Sequence, residues 1–209
     1  MGEKLNYLIG LMLADGGIYK YEYDYKTACK TLFVSDSSKE FTQAIAKLVN
    51  EIFKIKPGIW KSKSSKEIQV YSSRKEFVEF FQSNGMKLNK KTKEVKIPLK
   101  MKSGSREEIA AIIRGIFDGD GTIVFHKKDR NGKHYAVPCI KLKSMSDFLI
   151  KDIQELLKKL GIKSSAHFHK YGNDLYIMRK EDVSKFLDLV GFFHPLKAEK
   201  AKDILRIRL

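Results

Sequence analysis

One short phrase occurs twice in this chain. "LIGLMLADGG" occupies residues 8–17 and "IRGIFDGDG" occupies residues 113–121. Laying one on the other superposes Leu8 on Ile113, Gly10 on Gly115, Leu11 on Ile116, Asp15 on Asp120, Gly16 on Gly121 and Ile18 on Ile123. Further on, "SSKEFTQAIAKLVNEI" (37–52) runs parallel to "MSDFLIKDIQELLKKL" (145–160) after a small extra shift, so the intervening hairpin is longer in the second copy. An internal repeat on this scale constrains the architecture before any element is assigned. One unit is made twice.

Each copy reads as helix, two strands, helix, two strands, helix. Helical spacing aligns Phe41, Ile45, Leu48 and Ile52 in one copy and Leu149, Ile153, Leu156 and Leu160 in the other, with Ser38 and Ser146 as N-caps. Alternation predicts four hairpins. "GIYKYEYDYK" pairs with "ACKTLFVS", "GIWKSK" with "KEIQVYS", "GTIVFHK" with "AVPCIKLK", and "SSAHFHKYGNDLYIMR" turns at Gly172-Asn173. Further helices are expected at 74–82, 181–190 and 195–207. The stretch around Pro98 and Gly104 divides the chain into a first half (1–95), a linker (96–104) and a second half (105–209). The expected fold class is α+β: two pseudo-symmetric αββαββα units, each with a four-stranded antiparallel sheet, related by a pseudo-twofold axis within a single chain.

The first helix of each copy carries small residues four apart, Gly10 with Ala14 and Gly115 with Gly119. Glycine inside a helix costs about 1 kcal/mol against alanine, and close backbone approach is the usual compensation. The stripe recurs in both copies, so the two helices are expected to pack on each other. Each helix ends at Gly16-Gly17 or Gly121-Thr122, a C-terminal signal. Asp15 and Asp120 then lie where the helix dipole is negative, an unfavourable place for a carboxylate. Asp before Gly often does no more than shape a turn. Two such acids brought together by packed helices instead make a site that attracts cations, Mg²⁺ above all.

The charge points to what such a site would act on. Lys and Arg number 41 against 25 acids, a formal net charge of +16, spread along the whole chain. That pattern favours a polyanion, and nucleic acid over a membrane surface. No stretch has the length of a membrane-spanning helix. The N-terminus lacks the layout of a signal peptide, and Asn6 stands where myristoylation wants Ser or Thr. Cys29 and Cys139 have neither metal-type nor disulfide-type spacing, so a reduced, intracellular (cytoplasmic) protein is expected. A hard divalent ion in a protein that draws in a polyanion describes metal-assisted phosphodiester hydrolysis.

The two phrases, with "YLIGLMLADGGIYK", "KIPLKM" and "GFFHPLKAEKA" around them, resemble the LAGLIDADG homing endonucleases in their single-chain, two-motif form. One departure is Leu13, where the second copy keeps Asp118; that position is not the metal ligand in the family. The resemblance implies a monomer whose two motif helices pack at the pseudo-twofold axis, over a saddle of two sheets that binds double-stranded DNA. Asp15 and Asp120 would share the metals, assisted by the carbonyls of Ala14 and Gly119. Mg²⁺ would support cleavage, Mn²⁺ would substitute, and Ca²⁺ would bind without cleavage. Both strands would be cut across the minor groove, leaving short 3′ overhangs. Asp36 and Ser144 match the residue that orders the attacking water, Asp36 being the less usual of the two. Lys90 or Lys91, and Lys197, match the lysine that stabilises the transition state, and phosphate contact or solvated surface is an equal reading for each.

The hairpins supply the readers. Tyr19, Tyr21, Tyr23 and Tyr25 alternate with Lys20, Glu22, Asp24 and Lys26. The inner two tyrosines are read as a structural face, the outer two as open to DNA. Further contacts are expected from Lys26, Lys30, Trp60, Lys61, Lys63, Lys66, His126, Lys128, Arg130, Lys133, Lys141, Lys143, His167, His169, Lys170 and Asn173, with Lys and Arg suited to guanine or phosphate and Asn to adenine. His167 and His169 at strand spacing are read as DNA or surface contacts before a metal site. The hairpins differ, so the target should be only weakly palindromic. Three rivals remain: a cleavage-inactive splicing maturase or DNA-binding regulator, an intein, and a nucleoid protein. Both acids are retained, which argues against the first. The chain begins Met-Gly and ends Arg-Ile-Arg-Leu, so splicing is not expected, and a nucleoid protein needs no paired acids. Abundant Lys and Glu with few Gln suggest a thermophilic source, and the resemblance implies an archaeal one.

Overall fold

Helix α1 (Glu3–Ala14) is buried on every side from Asn6 to Ala14, as a helix apolar all round must be. Its partner is α4 (Arg106–Gly119), and no other two helices touch so extensively. The computed structural model, which describes residues 2–23, 26–88, 93–130 and 133–206, shows why both carry glycine. A Cβ on Gly10 would lie 2.2 Å from the Ile112 carbonyl oxygen, and one on Gly115 would lie 2.1 Å from that of Tyr7. Tyr7 and Ile112 stand equally far before the glycine of their own helix. The contact is therefore reciprocal, the mark of a twofold relation.

Around this pair each half builds the same unit. In the first, β1 (Gly17–Tyr23), β2 (Lys26–Asp36), α2 (Lys39–Phe53), β3 (Gly58–Lys61), β4 (Ile68–Ser72) and α3 (Lys75–Ser83) follow α1. In the second, β5 (Gly121–Arg130), β6 (Lys133–Ser144), α5 (Asp147–Lys159), β7 (Ser165–His169), β8 (Gly172–Ile177) and α6 (Lys180–Leu189) follow α4, and α7 (Pro195–Arg206) closes the chain. The sheets run β1-β2-β4-β3 and β5-β6-β8-β7, antiparallel throughout. Period-2 alternation packs Ile68 and Val70 of β4, and Leu175 and Ile177 of β8, under the helices. Gln69, Tyr71, Asp174 and Tyr176 take the opposite face and stay half-buried.

Two local expectations are corrected, and the structure adds two further features. The last hairpin turns at Lys170-Tyr171, because His169 pairs with Gly172 and Gly172, at φ 132°, already opens β8. The glycines after the two aspartates do not adopt left-handed φ. They are there for space: a Cβ on Gly16 would meet the Leu32 carbonyl oxygen at 2.5 Å, and one on Gly121 that of Phe117 at 2.6 Å. The register sets Lys26 opposite Tyr23, not in series with Lys20 and Glu22, since the hairpin turn intervenes. Finally, the linker 96–104 is packed against the second half. Ile97 and Met101 are buried in a hydrophobic core that runs through both halves, and Asp152 of α5 accepts from the Ile97 amide at 2.9 Å and pairs with Lys102.

Candidate active site and nucleic-acid interface

The reciprocal crossing carries both helices to one spot. Asp15 and Asp120 are the C-cap residues, their amides donating to the Leu11 and Ile116 carbonyls at 2.8 and 3.0 Å. A Cβ on Gly119 would meet the Ala14 Cβ at 2.5 Å and Asp15 Oδ2 at 3.0 Å. The Asp15 carboxylate thus rests against the residue that immediately precedes Asp120. Two carboxylates at the ends of two helices converge there, hard oxygen donors suited to Mg²⁺ or a similar ion.

Lys197, from the first turn of α7, reaches the same place. Its Nζ donates to the carbonyls of Phe117, Asp118 and Gly119 at 3.0, 2.5 and 2.9 Å. A cation on the last carbonyls of a helix is favoured by its dipole. Burial holds the Lys197 ammonium below the usual lysine range, opposed by the attraction of Asp118, Asp15, Asp36 and Asp120. Lys197 thus sits at the C-terminal end of α4, beside the residue that carries the second acid. Lys90 and Lys91, proposed for the first half, lie outside the described residues, as does Tyr25.

Asp36 ends β2 and faces inward to the same region. Its Oδ1 accepts from the Ser38 amide at 2.6 Å, and its Oδ2 lies 3.3 Å from His194 Nε2. Burial raises its pKa, but those hydrogen bonds outweigh it, so Asp36 stays ionised below the usual carboxylate range. Ser144, its counterpart, accepts from the Ser146 amide at 3.1 Å and lines a cavity together with Ala14, Asp120 and Asn173.

Two residues of this neighbourhood have no signal in the sequence. Tyr7 Oη donates to Asp118 Oδ2 at 2.8 Å across the helix pair. Asp118, fully buried, also accepts from the amides of Phe193 and His194 at 3.0 and 3.1 Å. Burial pushes its pKa up, opposed by those hydrogen bonds. His194 in turn stacks on Phe41 at 4.4 Å and meets Asp36. Asp118 is thus an anchor for the start of α7, and through it for Lys197. Replacing Asp118 by Leu should strand the Tyr7 hydroxyl and two amides, lowering stability to urea by about 2 kcal/mol, with Tyr7→Phe costing about 1 kcal/mol. Equal unfolding midpoints for wild type and Asp118→Leu would contradict the anchor.

The expected DNA contacts sort by exposure. Trp60 is 46% exposed, and Lys61, Lys63, Lys66, His126, Lys143, His167, His169 and Lys170 are all exposed. Lys30 and Lys141 are half-buried on the outer faces of their sheets. Tyr23 and Lys26 close one hairpin, Arg130 and Lys133 another, with Lys128 opposite Tyr135. Tyr19, expected on a packed structural face, is 36% exposed with its ring over Gly17. His167 and His169 have parallel rings 6.4 Å apart, and no group of three metal-ligating side chains occurs among the described residues. Asn173 is corrected: at 2% exposure it bonds Asp147 Oδ1 at 2.8 Å and the His169 amide at 3.2 Å, bracing the hairpin instead of facing DNA. No helix among the described residues is long and apolar enough to cross a membrane.

Comparison with known proteins agrees with this geometry. The structure of I-DmoI in complex with DNA and Ca superposes with a TM-score of 0.67 at 19% identity, covering 96% of this chain and 97% of that one. The I-LtrWI LAGLIDADG homing endonuclease bound to target DNA gives 0.69 at 13% identity, covering 98% and 89%. Replication factor C small subunit of Methanocaldococcus jannaschii is 27% identical over 209 residues, 98% of this chain but 10% of that protein, so the chain spans about a tenth of that relative's length. The family model described as LAGLIDADG-like domain matches twice, at residues 2–85 and 107–191, one match to each half, and the chain belongs to that family.

Proposed function

We propose that this chain is a site-specific DNA endonuclease that hydrolyses both strands of a long, weakly palindromic duplex, acting as a monomer and leaving short 3′ overhangs. The observation that carries the proposal is the convergence of Asp15 and Asp120 at two helix ends locked together by glycine, in a chain of net charge +16. Solved relatives of the same fold are bound to DNA with Mn, Mg or Ca, which supports the choice of partner and of ion.

Asp15 and Asp120, with the carbonyls of Ala14 and Gly119, would hold Mg²⁺, Mn²⁺ substituting and Ca²⁺ binding without turnover. Two carboxylates do not fill the shell of a divalent ion, and no third acid or histidine completes the cluster among the described residues. Phosphate oxygens and water must supply the rest, the ordinary way Mg²⁺ is held at a phosphodiester. Such an ion acidifies bound water and polarises the phosphoryl oxygen. The chain's own groups do the positioning. Asp36, fixed by Ser38 and His194, offers an ionised acceptor to water in the first half, and Ser144 offers a hydroxyl in the second. Lys197 places a positive charge beside the scissile phosphate, with Lys90 or Lys91 assigned the same task opposite.

Incubating the protein with a random duplex library tests this directly. With Mg²⁺, recovered ends should share one long sequence and carry short 3′ overhangs; with Ca²⁺, the same sequence should be retained uncut. Retention without cutting under every metal would favour the cleavage-inactive, DNA-binding alternative.

A further inference from the structure

The outer faces of the two sheets carry the same three-residue arrangement at equivalent places. In the first half, Lys30 Nζ sits 4.8 Å from the centre of the Tyr71 ring and donates to Gln69 Oε1 at 2.6 Å. In the second, Lys141 Nζ sits 4.9 Å from the centre of the Tyr176 ring and meets Asp174 Oδ1 at 3.2 Å. Tyr71 and Tyr176 are equivalent by position: each follows a buried β-branched or leucine residue and stands three before the arginine that N-caps the next helix, "VYSSR" against "LYIMR". Gln69 and Asp174 each lie two residues before the tyrosine, on the same face. The lysines themselves are not equivalent in register. Lys30 pairs with Tyr19 while Lys141 pairs with Thr122, and an irregularity in β2 lies between Leu32 and Val34. Different backbone positions thus deliver an ammonium to the same spot twice.

Resting on the endonuclease reading above, we infer that Lys30 and Lys141 are paired base readers, each set on its tyrosine to donate to guanine at symmetry-related positions of the two half-sites. A lysine normally loses much rotamer freedom when it binds. Here the ring beneath and the acceptor beside it have already fixed its position, through a cation–π contact and hydrogen bonding in each half. Both sit on central strands, β2 or β6 against β4 or β8, away from the hairpin tips. A sheet lying along the major groove sets its centre over base edges and its tips nearer the backbone. In that groove only guanine offers two acceptors side by side, N7 and O6. Thymine offers one beside a methyl group, adenine pairs its acceptor with a donor, and cytosine offers a donor. An ammonium held in place with N–H bonds to spare is matched to guanine. Tyr176 and Asp174 also keep Lys141 protonated, its pKa raised above the usual lysine range.

The test is selection of bound duplexes from a random library by the full chain in Ca²⁺, repeated with Lys30→Met, Lys141→Met, the two Lys→Arg variants, and Tyr71→Leu and Tyr176→Leu. Wild type should enrich guanine on opposite strands at two positions equidistant from the centre. Lys30→Met should lose the preference at one position and Lys141→Met at the other, each by about ten- to a hundredfold. The arginine variants should keep guanine, and the tyrosine variants should weaken the preference a few-fold at the same position. Wild-type sites lacking the guanine pair, or Met variants that keep both guanines, would overturn the pairing while leaving DNA recognition standing. A wild type that enriches no sequence would overturn both readings.

Discussion

Asp15→Asn and Asp120→Asn should each reduce double-strand cleavage by at least about a hundred- to a thousandfold, with duplex binding in Ca²⁺ changed far less. The substitution keeps shape and removes charge. Both residues cap their helices through backbone amides, a contact that Asn keeps. Either change should also slow cutting of both strands, not one. The Asp15 carboxylate borders Gly119, directly before Asp120, so the two acids act within one shared site. Gel analysis of a supercoiled plasmid carrying the selected site would separate nicking from linearisation. Full-rate linearisation by either variant would refute the mechanism, and a variant that nicks one strand at the normal rate would refute the shared site.

Alanine at Gly10 or Gly115 should destabilise the protein by about 3 kcal/mol. The sign makes the test sharp, because the same substitution in an unhindered helix stabilises by about 1 kcal/mol. At these two positions the added carbon would lie 2.2 and 2.1 Å from carbonyl oxygens of the other helix, so the backbones must separate. Separation would also pull Asp15 from Gly119, and cleavage should fall even at temperatures where the variant is folded. Urea unfolding and plasmid cleavage at low temperature measure the two effects. A rise in stability on either substitution would mean that the helices tolerate a wider spacing.

The helix pair and its acids are legible in the sequence because both are encoded locally and twice. A glycine at Gly10 and again at Gly115, each followed after the same interval by an acid, leaves few other geometries. The same reasoning fails where a side chain acts on something distant in sequence. Nothing about Tyr7 announces that its hydroxyl reaches Asp118, and nothing about His194 announces Asp36, because such pairs are set by packing and have no period. Asn173 illustrates the converse error. Its residue type suits adenine, but its place just after the turn, on the buried face of β8, commits the amide to Asp147. The last hairpin differs for a related reason: a Gly-Asn pair reads as a turn, whereas the positive φ of Gly172 serves the first residue of the strand.

The crossing of Gly10 with Ile112 also has a bearing on when the protein becomes active. Contacts between residues this far apart in the chain form late, after loops have closed and most of the polypeptide exists. During synthesis the first half can shape its own sheet and cover part of α1, but α1 lacks its main partner until α4 has been made. On the function proposed above, each half until then holds only one of the two acids. A partly made or truncated chain would then bind nucleic acid through its lysines without the means to cut it, and the capacity to break DNA would arrive only with the completed fold.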